Sequence, residues 1–316
     1  MSRPVGTGVR DRYVRASAVH PRPQRVGVGG RHAGSMVDTP TRDAHDIAPP
    51  VFELDGVDVW AHGPGGRTDM LVGVDWTVRE GQRWALLGHN GAGKSTVLAL
   101  AGALRFPGRG IVTVLGRRLG RVDVREVRAR VGAVNAAQRI PEHLSVTDYV
   151  LTGASGTVQP LYGRYGVVER ARAAELIATL GLEAFASREI AVCSQGERGR
   201  ARIARALMPA PRLLLLDEPA NALDLRSREE LLEAIDLLAR EDPRLTLVIV
   251  THHLEELPTS VTHALLLREG ATVAAGPVEA VMTDANLSEC FGIPLEVRAR
   301  DGRWAARLRR PGRVVA

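Results

Sequence analysis

Short apolar runs that end in polar clusters predict the buried strands of this chain. Three such runs are Trp84–Leu87, Leu213–Leu216 and Leu245–Val250. Runs that are apolar throughout, rather than alternating, are typical of a parallel sheet covered on both faces. Polar residues follow each run at once, and parallel sheets bind ligands at the carboxyl ends of their strands. The pattern therefore predicts an α/β fold with a mainly parallel central sheet and a binding site at one edge.

Strands of a different kind are predicted on the N-terminal side of the first run. Val51–Trp60 alternates between apolar and polar positions, and a second strand is expected near Leu71–Val78, after a glycine-rich turn at Gly63–Arg67. Alternation is typical of strands with one buried face. Two further short strands are predicted at Ile111–Leu115 and Val131–Val134. We therefore expect an N-terminal antiparallel β subdomain beside the parallel sheet.

Helical spacing replaces strand patterns in the middle of the chain. A helix is predicted over Thr96–Leu104, and residues 139–192 are interpreted as an inserted helical subdomain. In that insert, Ser145 and Asp148 form a candidate capping box ahead of a short helix. A longer helix is expected to stop at Gly181. Its apolar face is predicted to consist of Val168, Ala171, Ile177 and Leu180.

The two ends of the chain differ from its centre. Beyond Gly276 the pattern predicts short helices and then a hairpin of Leu295–Ala299 and Arg303–Leu308, joined across Asp301-Gly302. Residues 1–50 lack apolar periodicity and are rich in Gly, Pro and Arg, which predicts a disordered basic extension. The expected divisions are therefore residues 1–50, 51–276 and 277–316.

Composition is that of a soluble globular protein. Of the 316 residues, 45% are apolar and 25% charged. No apolar run approaches the ~18 residues of a transmembrane helix, and we find no signal-peptide segment. The two cysteines, Cys193 and Cys290, offer no disulfide framework or metal-binding spacing. These features predict a cytoplasmic protein.

The net charge of +6 is concentrated in residues 1–35, which hold seven arginines and one acid, Asp11. Residues 36–316 then carry 35 basic and 35 acidic side chains. A basic tail could bind nucleic acid or an anionic membrane surface. We favour a solvated tail, and we expect no nucleic-acid partner. Because an ordinary polar leader also follows Met36, translation could start there.

The polar cluster after Trp84–Leu87 fits a phosphate-binding loop. Gly88, Gly93, Lys94 and Ser95 complete the pattern G-x-x-x-x-G-K-[ST]. Glycines allow backbone N–H groups to wrap a polyphosphate, and the helix that follows adds the positive end of its dipole. The residues predicted to contact ATP here are Gly88, His89, Asn90, Gly91, Ala92, Gly93, Lys94, Ser95 and Thr96.

Lys94 is the only lysine among 42 basic residues. A compact ammonium and a planar guanidinium are not interchangeable in a phosphate cradle, so its retention favours nucleotide binding over a glycine-rich turn that binds nothing. Lys94 is expected to reach the β- and γ-phosphates, and the Ser95 hydroxyl to ligate Mg²⁺.

Two acids follow the second apolar run. Asp217 is expected to hold Mg²⁺ opposite Ser95, and Glu218 to polarise the attacking water as general base. Solvated acids at an ordinary strand end are the alternative, which the upstream phosphate loop makes less favourable.

Six motifs in this order, over about residues 51–276, resemble the ATP-binding subunits of ABC (ATP-binding cassette) proteins. Besides the two above, Gln138 stands where the family has its Q-loop, Cys193–Glu197 stands at the signature LSGGQ, Asn221–Asp224 is similar to the D-loop, and His252 to the switch histidine. Taken singly, Gln138, Ser194 or His252 could each be a surface or capping residue.

The resemblance implies a P-loop NTPase fold and catalytic roles for Glu218, His252 and Gln138. It implies three Mg²⁺ ligands: Ser95, Gln138 and Asp217. It also implies that the signature acts in trans, so that ATP is closed between two cassettes facing head to tail, most simply in a homodimer. The residues expected to reach ATP in that dimer are Ser194, Gly196 and Asp224.

Departures from the family pattern fall mainly in the signature, which has Cys for Leu, Gln for the first Gly and Glu for the terminal Gln. Ser194 and Gly196, the parts that touch phosphate in the family, are retained, so ATPase activity is still expected. Trp60 is the candidate base-stacking aromatic, although the glycine-rich turn shifts its spacing. A core or surface tryptophan is the alternative.

Three functions fit the sequence. The first is the energising subunit of a membrane importer, bound to a permease through residues 138–191 at the inner face of the membrane; the segment from Gly276 to Gly292 and the hairpin resemble importers of iron complexes and vitamins. The second is a soluble cassette ATPase of repair or translation, and a neighbouring permease gene would argue against it. The third, an inactive nucleotide-binding scaffold, is disfavoured because Lys94, Glu218 and His252 are present.

Overall fold

The centre of the protein is a six-stranded sheet. The computed structural model describes residues 48–135 and 138–309. From one edge of the sheet to the other, the strands are β10 (Ala271–Pro277), β9 (His263–Arg268), β3 (Arg83–Leu87), β8 (Thr246–Thr251), β7 (Leu213–Asp217) and β6 (Val131–Asn135). All neighbours from β9 to β6 are parallel, and β10 pairs antiparallel with β9. The predicted mainly parallel sheet is therefore confirmed.

A second, antiparallel sheet stands on the N-terminal side. Its spatial order is β2 (Gly66–Arg79), β1 (Pro50–Gly63), β4 (Arg109–Val114) and β5 (Arg117–Arg118). Apolar side chains of this sheet and of the central sheet share one core, in which Trp76 packs edge-on against both Phe52 and Trp84. This core supports the connection that follows β3. The antiparallel subdomain is confirmed, and β1 begins at Pro50, inside the segment predicted to be disordered.

Eight α-helices lie in the described ranges. They are α1 (Lys94–Ala101), α2 (Val124–Arg128), α3 (Val146–Ser155), α4 (Val167–Thr179), α5 (Gln195–Leu207), α6 (Leu225–Glu241), α7 (Val278–Val281) and α8 (Asp284–Phe291). The predicted helix Thr96–Leu104 is α1, shifted toward the N-terminus, and left-handed Ala103, with φ 53°, lies just beyond its end. None of the helices in the described ranges is long and apolar enough to cross a membrane.

The helices α3 and α4 correct two details of the sequence prediction. The Ser145 hydroxyl accepts the Asp148 N–H at 3.0 Å, but the Asp148 carboxylate accepts from that same hydroxyl rather than from the Ser145 N–H. Only half of the capping box is therefore formed. In α4, Val168 and Ala171 are exposed, and the buried face consists of Ala173, Leu176 and Ile177, continued by Leu180.

The C-terminal hairpin forms as predicted. Strands β11 (Leu295–Arg300) and β12 (Arg303–Leu308) pair antiparallel across Asp301 and Gly302, whose φ angles of 51° and 75° suit a tight hairpin turn. With α7 and α8, this hairpin packs against the face of the central sheet that carries Leu87 and Leu266. Residues 1–47 of the basic extension lie outside the described residues, so its disorder stays a prediction.

Candidate functional site

The loop between β3 and α1 has the backbone of a phosphate cradle. Gly91 and Gly93 have φ angles of 85° and 105°, which L side chains rarely adopt. A β-carbon on Gly93 would lie 2.7 Å from the Met70 carbonyl oxygen, and one on Gly88 would collide with the carbonyl oxygen of Leu267. Neighbouring backbone therefore packs closely against the loop at Gly88 and at Gly93, and only glycine fits at these two positions.

Lys94 lies inside this loop, 6% exposed. Its ammonium donates to the carbonyl oxygens of Gly88 at 2.7 Å and His89 at 3.0 Å. Burial lowers the pKa of Lys94, and the negative charges of Glu218 and Asp217 offset part of that effect. A buried ammonium held by two neutral carbonyl groups is well placed to exchange them for a polyanion.

The remaining loop residues divide between solvent and core. Asn90, Gly91 and Ser95 are exposed, whereas Ala92 is fully buried. The Thr96 hydroxyl donates to the Met70 sulfur at 3.7 Å. The loop follows the carboxyl end of β3, and the parallel neighbours β8 and β7 end at the same edge of the sheet.

Asp217 ends β7 directly opposite Asn135, the last residue of β6. The Asn135 amide donates to the Asp217 carboxylate at 3.0 Å. Burial and then the adjacent charge of Glu218 raise the pKa of Asp217, while Lys94 and the Asn135 hydrogen bond lower it. Carboxylate oxygens with a fixed orientation next to a second carboxylate are the donors that a hard divalent cation takes.

Glu218 is held at both carboxylate oxygens. His252 Nδ1 lies 3.1 Å from Oε1, and the Asn221 amide donates to Oε2 at 3.2 Å. Its backbone is left-handed, with φ 47°, and its N–H donates to the carbonyl of Val250 on β8. The structure therefore brings the predicted base and the predicted switch histidine into direct contact.

The signature stands at the start of α5. Ser194 caps that helix: its hydroxyl accepts the Glu197 N–H at 3.2 Å, and the Glu197 carboxylate accepts the Ser194 N–H at 2.7 Å. Gly196 is buried against Ser227, so close that a β-carbon would lie 2.7 Å from the Ser227 Cβ. Asp224 caps α6 through the Ser227 N–H at 2.8 Å. The segment that resembles the signature and the segment that resembles the D-loop are thus in contact through Ser227.

Two predicted residues stand apart from these contacts. Gln138 is exposed, and the hydrogen bonds described for it use its backbone, with Asn135 and Arg202. The Trp60 ring lies over Gly108 and under the Arg67 guanidinium, 4.2 Å from the ring centroid. Among the described residues, no hydrogen bond or ring contact joins Trp60 to the phosphate loop. Its role as a base-stacking residue stays a prediction.

Asn135 and Asn221 were missed as site residues by the sequence reasoning. Asn221 belongs to the stretch that resembles the D-loop, so its position next to Glu218 was open to inference. Asn135 has a weaker signal, a polar residue at the end of a short predicted strand. Its partner Asp217 follows from the parallel register of β6 and β7.

Comparison with known proteins agrees with this geometry. A family profile described as ABC transporter matches residues 71–221. The chain is 36% identical over 250 residues to the uncharacterized ABC transporter ATP-binding protein YlmA of Bacillus subtilis, covering 78% of this chain and 93% of YlmA. It is 36% identical over 235 residues to the hemin import ATP-binding protein HmuV of Streptomyces coelicolor, covering 74% and 81% of the two chains.

A solved structure extends the likeness to three dimensions. The dimeric post-hydrolysis structure of the ATP-binding cassette MJ0796, bound to ADP and Pi, superposes with a TM-score of 0.63 at 26% identity. The match covers 72% of this chain and 98% of that cassette. With its phosphate cradle, its paired acids and these relatives, the chain belongs to the ABC transporter family, as one of its ATP-binding proteins.

Proposed function

We propose that the chain hydrolyses ATP with Mg²⁺, as a dimer, and that hydrolysis powers a transporter that imports a metal complex or a similar solute. The convergence of Lys94, Asp217, Glu218 and His252 at one edge of the central sheet carries this proposal. Phosphate binding, cation binding and proton transfer each need one of these groups, and here all of them are held by packed backbone and hydrogen bonds.

ATP binding is assigned first to the loop from Gly88 to Thr96. The cradle fits a polyphosphate because its glycine positions leave the backbone open where a β-carbon would block it. Lys94 would exchange the two loop carbonyls for phosphate oxygens. Ser95, Asp217 and Gln138 would hold Mg²⁺, which, when bound, supplies positive charge against the charge of the phosphates.

The general base is assigned to Glu218. Its two hydrogen-bond partners, Asn221 and His252, fix the carboxylate so that it can orient a water and accept its proton. His252 contacts Glu218 through Nδ1, which leaves its other ring nitrogen free to face a bound phosphate. Removing a positioned base of this kind commonly costs about 10²–10⁴-fold in rate.

Completion of the site is assigned to a second copy of the chain. Among the described contacts, none joins Ser194 or Gly196 to the phosphate loop, whereas Ser194 opens α5 on an exposed surface. A helix N-terminus is a ready anion site. In a head-to-tail dimer, Ser194 and Gly196 would face the ATP held by the other copy, with Asp224 beside them.

The transport role is supported by the relatives. HmuV is named for hemin import, and the described part of this chain has no helix that could span a membrane. We therefore assign the work of hydrolysis to separate permease subunits, with this chain bound at their cytoplasmic face through residues 138–191. Selection of the solute would lie with those subunits.

Phosphate release by the purified full chain tests the enzymatic half of the proposal. Wild-type protein with Mg-ATP is expected to release phosphate, and Lys94→Ala to lose both ATP binding and turnover. Arg118→Ala, on an exposed strand of the antiparallel sheet, is the matched control and is expected to behave like wild type. Absence of turnover in wild-type protein that binds ATP would contradict the assignment.

Affinity purification from detergent-solubilised membranes of the native host tests the transport half. A tagged full chain is expected to retain a multi-span membrane protein in amounts that substitution of exposed residues in the insert reduces. Recovery of repair or translation proteins, with no membrane protein, would favour a soluble cassette ATPase instead.

A further inference from the structure

The C-terminal hairpin reaches two segments of the candidate site through one side chain, that of Arg303 on β12. Its guanidinium donates to both carboxylate oxygens of Glu229, at 3.0 and 3.1 Å, and to the backbone carbonyl of Glu255 at 2.9 Å. Glu229 lies in the second turn of α6, and Glu255 lies in the short helical turn that follows β8. Arg303 therefore bridges two elements through Glu229 and Glu255, which are 26 residues apart in the chain.

Those two elements are the ones that hold the Glu218 carboxylate. Asn221, bonded to Oε2, lies three residues before Asp224, the cap of α6. His252, bonded to Oε1, lies two residues before Leu254, where the turn that contains Glu255 begins. The spacing between Asn221 and His252 thus depends on how α6 sits relative to the turn after β8, and Arg303 joins α6 to that turn.

The hairpin does not depend on Arg303 for its own attachment. Leu295, Val297 and Trp304 pack in the core formed with α7 and α8, and the Val297 N–H donates to the Asp284 carboxylate at 2.8 Å. The tip lies beside Thr259, close enough that a β-carbon added to Gly302 would be 3.4 Å from the Thr259 Cβ. Thr259 in turn donates from both its N–H and its hydroxyl to buried Asp236 on α6. Loss of the Arg303 guanidinium should leave the fold in place.

The chemistry of the contact explains why arginine stands here. A guanidinium can hold a carboxylate with two parallel N–H donors and still use another N–H for a carbonyl. Three donors directed at two elements fix their relative position, whereas a single charge pair at the surface would not. The side chain is 30% exposed, so part of the contact is shielded from water.

We propose that Arg303 is a positioning residue for ATP hydrolysis: it clamps α6 to the turn after β8 and so holds Asn221 and His252 at the spacing that orients the Glu218 carboxylate. This inference rests on the proposed ATPase function. It predicts that the clamp affects the rate of the chemical step and leaves nucleotide binding unchanged, because the phosphate loop lies on β3 and α1, outside the clamped elements.

Steady-state ATP hydrolysis by the full chain tests this, with wild type and Arg303→Ala compared at a temperature well below both melting temperatures. Arg303→Ala is expected to lower kcat about fivefold, the factor that a coupling of ion-pair strength gives, with KM for ATP unchanged within about twofold. Arg303→Lys should recover part of the rate, since one cationic donor remains. Arg300→Ala, on the same hairpin with a 93% exposed side chain, is the matched control and should match wild type.

A double-substitution cycle identifies the partner. Glu229→Ala should lower kcat as Arg303→Ala does, and the double variant should lose no more than either alone, because each change removes the contact between guanidinium and carboxylate on which the clamp depends. An unchanged kcat in Arg303→Ala, or a rise in KM that accounts for the whole loss, would overturn the proposal. Glu218→Gln in parallel separates the two claims: if it loses turnover while Arg303→Ala does not, the clamp fails and the ATPase function stands.

Discussion

Glu218 combines a proposed chemical role with an unfavourable backbone conformation. It is the proposed base, and its backbone is left-handed at φ 47°, a conformation that favours glycine. Strain of this kind is kept where the surroundings over-determine it. Here the Glu218 N–H is paired with the Val250 carbonyl and its own carbonyl with the Asn221 N–H, so the turn fixes the direction in which the carboxylate leaves the strand.

The strain can be measured with two variants that both lack the carboxylate. Glu218→Gly is expected to have a free energy of unfolding about 1 kcal/mol above that of Glu218→Ala, because only the alanine variant still places a β-carbon in a left-handed residue. Urea titration of both proteins measures the difference. Equal stabilities, or a more stable alanine variant, would show that the turn is not strained.

Cys290 gives a prediction about alkaline pH. Burial raises the pKa of its thiol from 9.0 to about 11. Because the folded pKa lies above the unfolded value, the stability due to the thiol is complete below pH 9 and is lost as pH rises toward 11. By pH 10 the stability advantage of wild type over Cys290→Ala should shrink by about 1 kcal/mol. Urea titrations at pH 8 and pH 10 measure this, and an advantage that does not shrink would contradict it.

At the scale of elements, α5 shows what the unusual signature does. Glu197 replaces the family's terminal Gln, and its carboxylate closes a capping box with Ser194. The box stabilises the helix start, but it also places a carboxylate at the site proposed to face phosphate. The helix cap is stabilised by the Glu197 side chain, whereas binding of a phosphate at the same place would be weakened by its negative charge.

Glu197→Gln should relieve that opposition. The glutamine side chain can still accept the Ser194 N–H, so the cap is retained, while the charge that repels phosphate is removed. Turnover is expected to rise a few-fold, with the larger gain at low ionic strength, where charge repulsion is least screened. Phosphate release at two salt concentrations measures the effect. A slower variant with an unchanged melting temperature would show that the carboxylate assists turnover.

The elements that sequence predicted well are those whose signals are local. The Asp301-Gly302 turn and the apolar runs of β3, β7 and β8 are each predicted by a pattern only a few residues long. The predicted face of α4 was only partly right: Ile177 and Leu180 are buried, but Val168 and Ala171, which fit a helical spacing, face solvent. Strand β9 and the turn Glu269-Gly270 were missed, although an apolar run and a glycine at positive φ mark them.

The candidate site was likewise predictable where its residues belong to local patterns. Lys94, Asp217, Glu218 and His252 follow strands, and parallel strands bring their ends together. The contact of Asn135 with Asp217 depends on the register between strands that are 82 residues apart. The Arg303 clamp depends on where the hairpin packs. Both contacts join residues that are distant in the chain, so no local sequence pattern predicts either of them.

At the scale of the whole molecule, the separation of the two proposed half-sites is the main consequence of the fold. The phosphate loop and Glu218 lie at the carboxyl edge of the central sheet, while Ser194 and Gly196 lie with Ser227 at the start of α5 and α6. In the proposed dimer, each chain supplies one half-site of each kind. A monomer should therefore bind ATP and hydrolyse it poorly, and two chains in head-to-tail contact should complete two sites.

The molar mass of Glu218→Gln in solution, measured by light scattering with and without ATP, tests this account most directly. Without the base, bound ATP should persist and hold two chains together, so the mass should rise from 34.0 kDa to twice that value. Adding Ser194→Arg to the same variant should keep the mass at that of one chain while ATP still binds, because only the trans contact is blocked. A Glu218→Gln protein that binds ATP and stays monomeric, or a dimer that persists with Ser194→Arg, would contradict the account.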